Sequence, residues 1–374
     1  MKKILIHYPF IAKYRMPIFS LLNQSKKFKY EFWADESNND KYLLTENKGL
    51  NFKQTSFHQI DIPILKKSLE WQPTAIKNIL SSSVDVYIVL GNPNSLSTWI
   101  CVLVANLRQI PVAMWSHGYL SDEGGIKGFI RKLFYKLSDY HLLYGNKAKG
   151  IMINKGFKEE KIHVIYNSLD YEKQKYYREK LDYNNRLQTR KKYGFYENSI
   201  VLLVVGRLMK KLKIDQLLTA LSKSNKDVKL FIIGDGPAKE DLELLSTRLR
   251  VRDKVVFYGA CHDEEQLSRL FNASDYSVVM GKVGLSAMHS LAYGIPMITN
   301  NNIDEHFPEI EAVIEGETGF YFAENNIDDF ESKLRSLPYR GEIYKNCITI
   351  IEKCYTPEVQ FKLIENAIIK ILER

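Results

Sequence analysis

A segment in the second half of the chain has the order of residues expected of a phosphate-binding turn. A β-branched run ending at Met280 predicts a buried strand, and Gly281 and Gly284 interrupt it. Helical apolar spacing then runs from 285 to 293, so the predicted helix begins almost directly after the strand. Free backbone N–H groups and the positive end of the helix dipole favour an anion as the ligand.

A cationic candidate site lies earlier in the chain. Arg207 follows Gly206 at the end of an apolar run, and Lys211 and Lys213 come shortly afterwards. A guanidinium suits a bidentate grip on phosphate oxygens, and fixed cations can stabilise a departing diphosphate. The chain contains no Asp-x-Asp, so we expect these cations, and no metal, in that role. A surface ion pair is the alternative for each of them.

These residues together resemble the nucleotide-sugar site of glycosyltransferase family 4, the group 1 glycosyl transferases of the GT-B fold. Residues 281–298 are similar to the family's E-G-F-G-L-x-x-x-E-A-M-A-x-G-x-P-V-I, and residues 205–208 to its V-G-R-L. When the two sequences are aligned on Gly284, the family's two glutamates fall on Gly281 and His289. The chain therefore resembles a variant that lacks both acids of the E-x7-E motif.

The resemblance implies a donor site in the second half of the chain. Arg207 would contact the diphosphate together with Lys211 or Lys213, and His289 would take the place of the glutamate that binds the ribose. The other implied donor-binding residues are Gly206, Gly234, Tyr258, Cys261, Asp263, Gly281, Val283, Gly284, Leu285 and Ser286. Among these, the segment 255–263 would receive the nucleobase, with Cys261 and Asp263 at the edge of the base.

Three of these implied roles have structural alternatives. A hydrogen-bonded core histidine is the alternative for His289. A plain strand end followed by a helix cap is the alternative for Cys261 and Asp263. Gly234 belongs to an I-x-G-D-G-P segment, which favours a tight strand-to-helix turn with ligand contact secondary.

In the first half, the resemblance places His117, at the end of a buried strand, near the donor's anomeric carbon. It would hydrogen-bond the transferred sugar or the acceptor, and we group it with Arg207 and Lys211 as the catalytic residues. The family's glycine-rich loop after the first strand is missing, and an aromatic, basic segment stands there. We expect Tyr14 and Arg15 of this segment to shape an acceptor pocket, with Arg15 near an anionic group; a surface loop is the equal alternative.

Strand-like and helix-like segments alternate in both halves, which predicts parallel sheets with crossover helices. The resemblance implies the α/β GT-B fold, with two Rossmann-like domains facing a central cleft. We expect an acceptor-binding domain over 1–185 and a nucleotide-sugar domain over 186–355. A final helix over 356–374 would cross back to the first domain. The junction is placed at 170–193, where aliphatic content is low.

The charge of the chain is uneven, with a net of +13 over residues 1–200 and −4 over residues 201–374. The basic half suits a membrane surface or an acidic lipid-linked substrate, although excess lysine can also serve solubility alone. No zinc-finger, RNP or basic heptad pattern points to nucleic acid. The helix predicted over 126–137 has a basic face for lipid headgroups and an apolar stripe that favours core packing. Without a signal-like or membrane-spanning segment, we expect a cytoplasmic or peripheral membrane protein with reduced cysteines.

These features predict a metal-independent, retaining glycosyltransferase. It would move a sugar from a nucleoside-diphosphate sugar to a hydroxyl of a lipid-linked saccharide in the synthesis of a surface polysaccharide such as O-antigen or capsule. Two alternatives stay open: an inactive partner subunit that binds nucleotide sugar, and a sugar-nucleotide epimerase on the same fold. The donor base, the sugar, the acceptor and the linkage are not determined by the sequence.

Overall fold

The computed structural model describes residues 1–35, 49–62, 67–338, 341 and 343–373. Its strands are β1 (Lys2–His7), β2 (Phe28–Ala34), β3 (Phe52–Gln54), β4 (His58–Ile62), β5 (Lys67–Trp71), β6 (Val86–Leu90), β7 (Val112–Ser116), β8 (Tyr140–Leu143), β9 (Ile162–Val164), β10 (Ile200–Val205), β11 (Val228–Ile233), β12 (Val255–Gly259), β13 (Tyr276–Val279), β14 (Met297–Asn300) and β15 (Gly319–Phe322).

The α-helices connect these strands, apart from the last three, which follow the final strand. They are α1 (Met16–Asn23), α2 (Pro73–Ser81), α3 (Leu96–Leu107), α4 (Gly125–Lys136), α5 (Asn146–Asn154), α6 (Tyr171–Glu179), α7 (Tyr183–Lys192), α8 (Ile214–Lys223), α9 (Lys239–Arg248), α10 (Glu264–Ala273), α11 (Leu285–Ala292), α12 (Ile327–Ser336), α13 (Tyr344–Cys354) and α14 (Pro357–Leu372).

The chain forms two compact α/β units. The first combines residues 1–170 with 356–374, and the second comprises residues 171–355. The first contains a parallel sheet of order β3-β2-β1-β6-β7-β8-β9 and a separate antiparallel pair, β4–β5. The second contains a parallel sheet of order β12-β11-β10-β13-β14-β15. Central strands such as β7 and β10 are buried because helices cover both faces of a parallel sheet, as their continuous apolar runs predict.

The division between the units falls at residue 170, earlier than the boundary at 185 placed from the sequence. Residues 171–192, which were placed in the domain junction, form α6 and α7, and both helices pack against α10 of the second unit. Arg190 is 2% exposed and pairs with Asp275 at 2.7 Å, and the Arg186 side chain pairs with the same carboxylate. Two of the basic residues of this segment are thus buried against an acid, which its low aliphatic content does not reveal.

The last helix, α14, belongs to the first unit, where it packs against α1. Gln360 is fully buried. Its Oε1 accepts a hydrogen bond from Ser168 Oγ at 2.7 Å, and its Nε2 donates to the carbonyl of Tyr166 at 2.6 Å. Lys27 and Glu365 form an ion pair at 3.2 Å. Polar contacts of α14 thus accompany the burial of its apolar face, which includes Ile364 and Ile368.

Two further observations concern the whole described part of the chain. None of the four cysteines forms a disulfide, and Cys101 and Cys347 are buried. Within the described ranges, no helix combines the length and the apolar character needed to cross a membrane.

Candidate active site

The second unit has a topological switch point between β10 and β13. From β10 the chain continues to β11 and β12 on one side of the sheet, whereas β13 continues to β14 and β15 on the other. In open α/β sheets, ligands bind at the carboxyl ends of the strands that flank such a point. Here Gly206 and Arg207 follow β10, and the segment 280–284 follows β13. The predicted cation and the predicted anion-binding turn are therefore neighbours in space.

Helix α11 begins at Leu285, directly after the glycine turn. The backbone N–H of Val283 donates to Nδ1 of His306 at 2.9 Å, and Nε2 of His306 donates to the carbonyl of Asn300 at 2.9 Å. The Val283 amide is thus occupied by His306. In the described residues, no hydrogen bond takes up the N–H groups of Leu285 and Ser286, which are the amides available to an anion.

Gly281 lies against the backbone of the loop that follows β10. A Cβ at this position would be 2.2 Å from the carbonyl oxygen of Lys211 and 3.2 Å from Cα of Leu212. Asn300 Nδ2 donates to the carbonyl of Gly281 at 2.9 Å and fixes the other side of the turn. The close approach of the two loops requires glycine, so the glutamate of the resembling family would not fit this backbone.

Lys211 and Lys213, which the sequence did not distinguish, differ in the structure. Lys213 lies in the left-handed region with a φ of 53°, and its Nζ contacts Glu324 at 2.8 Å and Asn325 at 2.9 Å. Lys211 is exposed, and in the described part of the chain its ammonium has no ion-pair partner. Lys211 is therefore the cation of the two that can reach a phosphate without first breaking an ion pair.

The Gly234 turn packs against the loop that carries Arg207. Gly234 has a φ of +149°, and a Cβ there would be 1.9 Å from the carbonyl of Gly206. The N–H of Leu208 donates to the carbonyl of Asp235 at 2.9 Å. The predicted strand-to-helix turn is therefore present, and it packs against the backbone of Gly206 and Leu208, on either side of Arg207.

The residues assigned to the nucleobase lie at the end of β12 and the start of α10. Asp263 caps α10, and its Oδ1 accepts from the N–H groups of Glu265 at 2.9 Å and Gln266 at 3.4 Å. Tyr258 and Cys261 are half-buried and pack at the edge of a cluster around Phe231. The structural alternative for Asp263, a helix cap, is present. Contact of these residues with a base stays a prediction.

His289 lies beside a carboxylate that the sequence reasoning missed. Nε2 of His289 is 3.1 Å from Oε1 of Glu264, and the hydroxyl of Tyr293 donates to the same oxygen at 2.6 Å. Burial opposes ionisation of this carboxyl, but the hydrogen bonds and charge of its partners hold the pKa of Glu264 below its usual value. Helix α10 thus places an acid beside His289, the residue on which the second glutamate of the resembling family falls. The available sequence signal was an acidic first turn after the Asp263 cap.

In the first unit, the structure brings together three residues assigned to the acceptor. Arg15 is 7% exposed, and its Nη2 donates to the Tyr144 hydroxyl at 2.6 Å. The guanidinium carbon lies 5.2 Å from the ring centroid of Tyr14, and the His117 ring lies 4.8 Å from that of Tyr144. His117 is exposed, whereas Arg15 is buried. The alternative of a surface loop is therefore wrong for Arg15.

Helix α4 exposes the apolar stripe that was expected to face the core. Ile126 and Phe129 are 81% and 68% exposed, and Ile130 and Leu133 are also exposed. The side that packs inward carries Phe134 and Tyr135 instead. The core-facing interpretation is therefore wrong for Phe129, Ile130 and Leu133 and right for Phe134, which is fully buried. The apolar spacing along α4 continues over two different faces, and the sequence does not show which one is covered.

No metal-binding arrangement occurs in the described residues. Within them, no group of three or more histidine, cysteine, aspartate or glutamate side chains is placed to hold a metal ion.

The sequence of the second unit matches a model of a known protein family. Residues 185–353 match the family model described as glycosyl transferases group 1. This match lies within the second unit and covers most of it.

Curated relatives match the chain over part of their length. A sulfoquinovosyl transferase of Arabidopsis thaliana is 30% identical over 147 residues, which are 38% of this chain and 27% of that protein. A lipopolysaccharide 1,6-galactosyltransferase of Escherichia coli K12 is 24% identical over 214 residues, 53% of each chain. The chain thus spans about half or less of these relatives.

Solved structures resemble the chain over its whole length. The HepE protein of Anabaena, determined in complex with UDP, has a TM-score of 0.76 and 15% identity, and the match covers 98% of this chain and 99% of that one. Likeness at this identity shows the fold alone. The fold is the α/β arrangement of two Rossmann-like domains found in GT-B glycosyltransferases, as the sequence predicted.

Proposed function

We propose that this chain is a glycosyltransferase that takes a sugar from a nucleoside diphosphate and transfers it to a hydroxyl of a saccharide acceptor. The observation that carries the proposal is the switch point of the second unit. There Arg207, the unpaired Lys211 and the amides at the start of α11 converge on the carboxyl ends of β10 and β13. This arrangement suits a pyrophosphate, and the match to group 1 glycosyl transferases over the same residues supports it.

In the proposed reaction the protein stabilises the leaving diphosphate with fixed charges. Arg207 and Lys211 would neutralise its oxygens, and the N–H groups of Leu285 and Ser286 would bind one of them. His289, held by Glu264, would hydrogen-bond the ribose with Nδ1, because Nε2 faces the carboxylate. We further propose a retaining, metal-independent reaction, with His117 close to the transferred sugar.

Binding and turnover together test this function. Purified protein is heated with a panel of uridine, guanosine and other nucleotide sugars, since a ligand that binds the folded state raises the melting temperature. The stabilising donor is then incubated with lipid-linked saccharides, and sugar transfer is measured by mass spectrometry. We expect transfer in the presence of EDTA. Affinity without any transfer or release of sugar would instead identify a binding-only subunit, and a changed sugar nucleotide without acceptor would identify an epimerase.

We propose that the acceptor is a lipid-linked saccharide reached at a membrane surface through α3 and α4. Stripes of exposed apolar side chains run along both helices, and Trp99 of α3 packs on Phe134 of α4 with centroids 4.9 Å apart. The exposed members are Leu96, Ile100, Leu103, Leu107, Ile126, Phe129, Ile130 and Leu133. Lysines of α4 accompany the stripe, which suits the boundary between anionic headgroups and acyl chains.

Sedimentation with liposomes tests the surface. The four cations of α4 are changed to glutamine in one variant, and four lysines of the second unit in a matched control. The first set is Lys127, Arg131, Lys132 and Lys136, and the second is Lys223, Lys239, Lys254 and Lys333. We expect binding to anionic liposomes to be lost in the first variant and kept in the second. Unchanged liposome binding in the first variant would contradict the proposal that α4 faces the membrane surface.

A further inference from the structure

The first unit contains a buried cation that has no counter-charge among the residues that the structure describes. Arg15 sits in an aromatic box formed by Tyr8, Tyr14, Trp115 and Tyr144, with its guanidinium carbon 5.1 to 5.8 Å from the four ring centroids. Within the described residues it forms no ion pair with a carboxylate. Because a buried ion is costly unless it is paired, this arrangement calls for an explanation.

The hydrogen-bonding groups of the box are only partly satisfied. Nη2 of Arg15 donates to Tyr144, but Nη1 is buried and has no partner among the described residues. The indole Nε1 of Trp115 is also buried without an acceptor there. Burial raises the pKa of Tyr144, so its hydroxyl stays neutral and leaves the charge of Arg15 uncompensated. The box therefore offers unused donors and one unbalanced positive charge, and what it lacks is an acceptor with negative charge.

The position of the box is that of a ligand site in an open α/β sheet. Arg15 follows β1, Trp115 belongs to the end of β7, and Tyr144 directly follows β8. These three strands are parallel members of one sheet, so their carboxyl ends lie along the same edge. Exposed His117 and half-buried Tyr14 are the members of this neighbourhood that solvent reaches. They mark the side from which a small ligand group would enter.

We infer that this box binds the oxyanion of the acceptor, so that the acceptor of the proposed reaction carries a carboxylate or a phosphate close to the hydroxyl that is glycosylated. Arg15 would hold the oxyanion with Nη1, and the Trp115 indole would donate a second hydrogen bond. The identification of the bound molecule as the acceptor rests on the proposed function, whereas the anion site itself is a property of the first unit. An acidic sugar and a sugar phosphate are the two sources of such a group.

Fluorescence titration distinguishes these sources. The protein is first saturated with UDP, so that the site at Arg207 is occupied. Glucuronate, inorganic phosphate and neutral glucose are then added separately while tryptophan emission is followed. We expect a saturable change with glucuronate, with phosphate or with both, and none with glucose. The change is expected to disappear in Trp115→Phe, which identifies the reporter among the four tryptophans. Saturation by glucuronate alone indicates an acidic sugar, and by phosphate alone a phosphorylated acceptor.

Variants of Arg15 test whether the anion that changes the tryptophan emission binds in the aromatic box. Arg15→Lys keeps the charge and loses the planar fork, so we expect anion affinity to fall several-fold, and about tenfold or more in Arg15→Gln. UDP affinity should stay unchanged in both, which also shows that they fold. No saturable change in the wild type, or equal affinity in wild type and Arg15→Lys, would overturn the inference. Wild-type protein that fails to bind any nucleotide would overturn the proposed function instead.

Discussion

The two units share one architecture but present different chemistry at the carboxyl edges of their sheets. In the second unit the edge is built from glycines, backbone amides and exposed cations such as Arg207 and Lys211. In the first unit it is built from large buried side chains, with Arg15 enclosed by aromatic rings. The difference teaches that one scaffold can bind a charged group either by removing side chains or by surrounding a single charge with them.

The backbone-lined edge suits a ligand that differs little between reactions, such as a pyrophosphate, because amides and glycines read only its charge and shape. The side-chain-lined edge suits a ligand that varies between reactions, because a few placed side chains determine the orientation and identity of the group that is bound. The following substitutions test this contrast, beginning with the largest expected effect.

Replacement of Lys211 by glutamine removes a cation that forms no ion pair with the described residues and lies in the loop after β10. We expect kcat/KM for the donor to fall about a hundredfold, because a group that stabilises charge in the transition state contributes on the order of 3 kcal/mol. Lys213→Gln is the matched control, since its ammonium already pairs with Glu324. Its effect should stay within about threefold. An equal loss in both variants would remove the distinction between the two lysines.

Gly281→Ala tests the close approach between the turn after β13 and the loop after β10, which line the carboxyl edge of the second unit's sheet with backbone groups. The added Cβ would lie 2.2 Å from the Lys211 carbonyl, so the two loops must separate, at a cost of about 1 to 3 kcal/mol in the free energy of unfolding. Gly284→Ala is the control, since its Cβ would be 3.4 Å from the nearest atom, a carbon of Phe307. Urea unfolding measures both. Equal stability of wild type and Gly281→Ala would show that the close approach of the loops is not a constraint.

Glu264→Gln tests the carboxylate beside His289 through pH. Because the pKa of Glu264 is lowered on folding, its contribution is present above the unfolded value of 4.5 and is lost as pH falls through the folded value. We expect the variant to be less stable than the wild type at pH 7, by about 1 kcal/mol, with the gap narrowing as the pH drops below 4.5. A gap that does not depend on pH would mean that the carboxyl is not ionised in the fold.

Much of the fold could be predicted from the sequence because apolar runs and helical spacing mark the strands and helices of parallel sheets directly. β10 and β11, for example, have the predicted bounds. The short strands β3 to β5 and the helices α6 and α7 were missed, since they carry few aliphatic residues, and α6 and α7 also depend on partners far along the chain. The buried pairing of Arg190 with Asp275 is a long-range contact of this kind.

The candidate site was predictable where its chemistry is local. The turn at 281–284 could be placed from spacing, and the family resemblance of residues 205–208 pointed to Arg207. Glu264 could not, because it reaches His289 from another helix, and no local pattern reports that distance. The aromatic enclosure of Arg15 by Trp115 and Tyr144 likewise depends on the order of strands in the sheet.

The central claim is that a pyrophosphate binds where Arg207 meets the start of α11, and calorimetric titration with UDP tests it most directly. Wild-type protein and the charge-reversed variant Arg207→Glu are compared, with circular dichroism to show that both are folded. We predict that UDP affinity falls at least a hundredfold in the variant, since an attractive contact becomes a repulsive one. Equal UDP affinity in the two folded proteins would contradict the account.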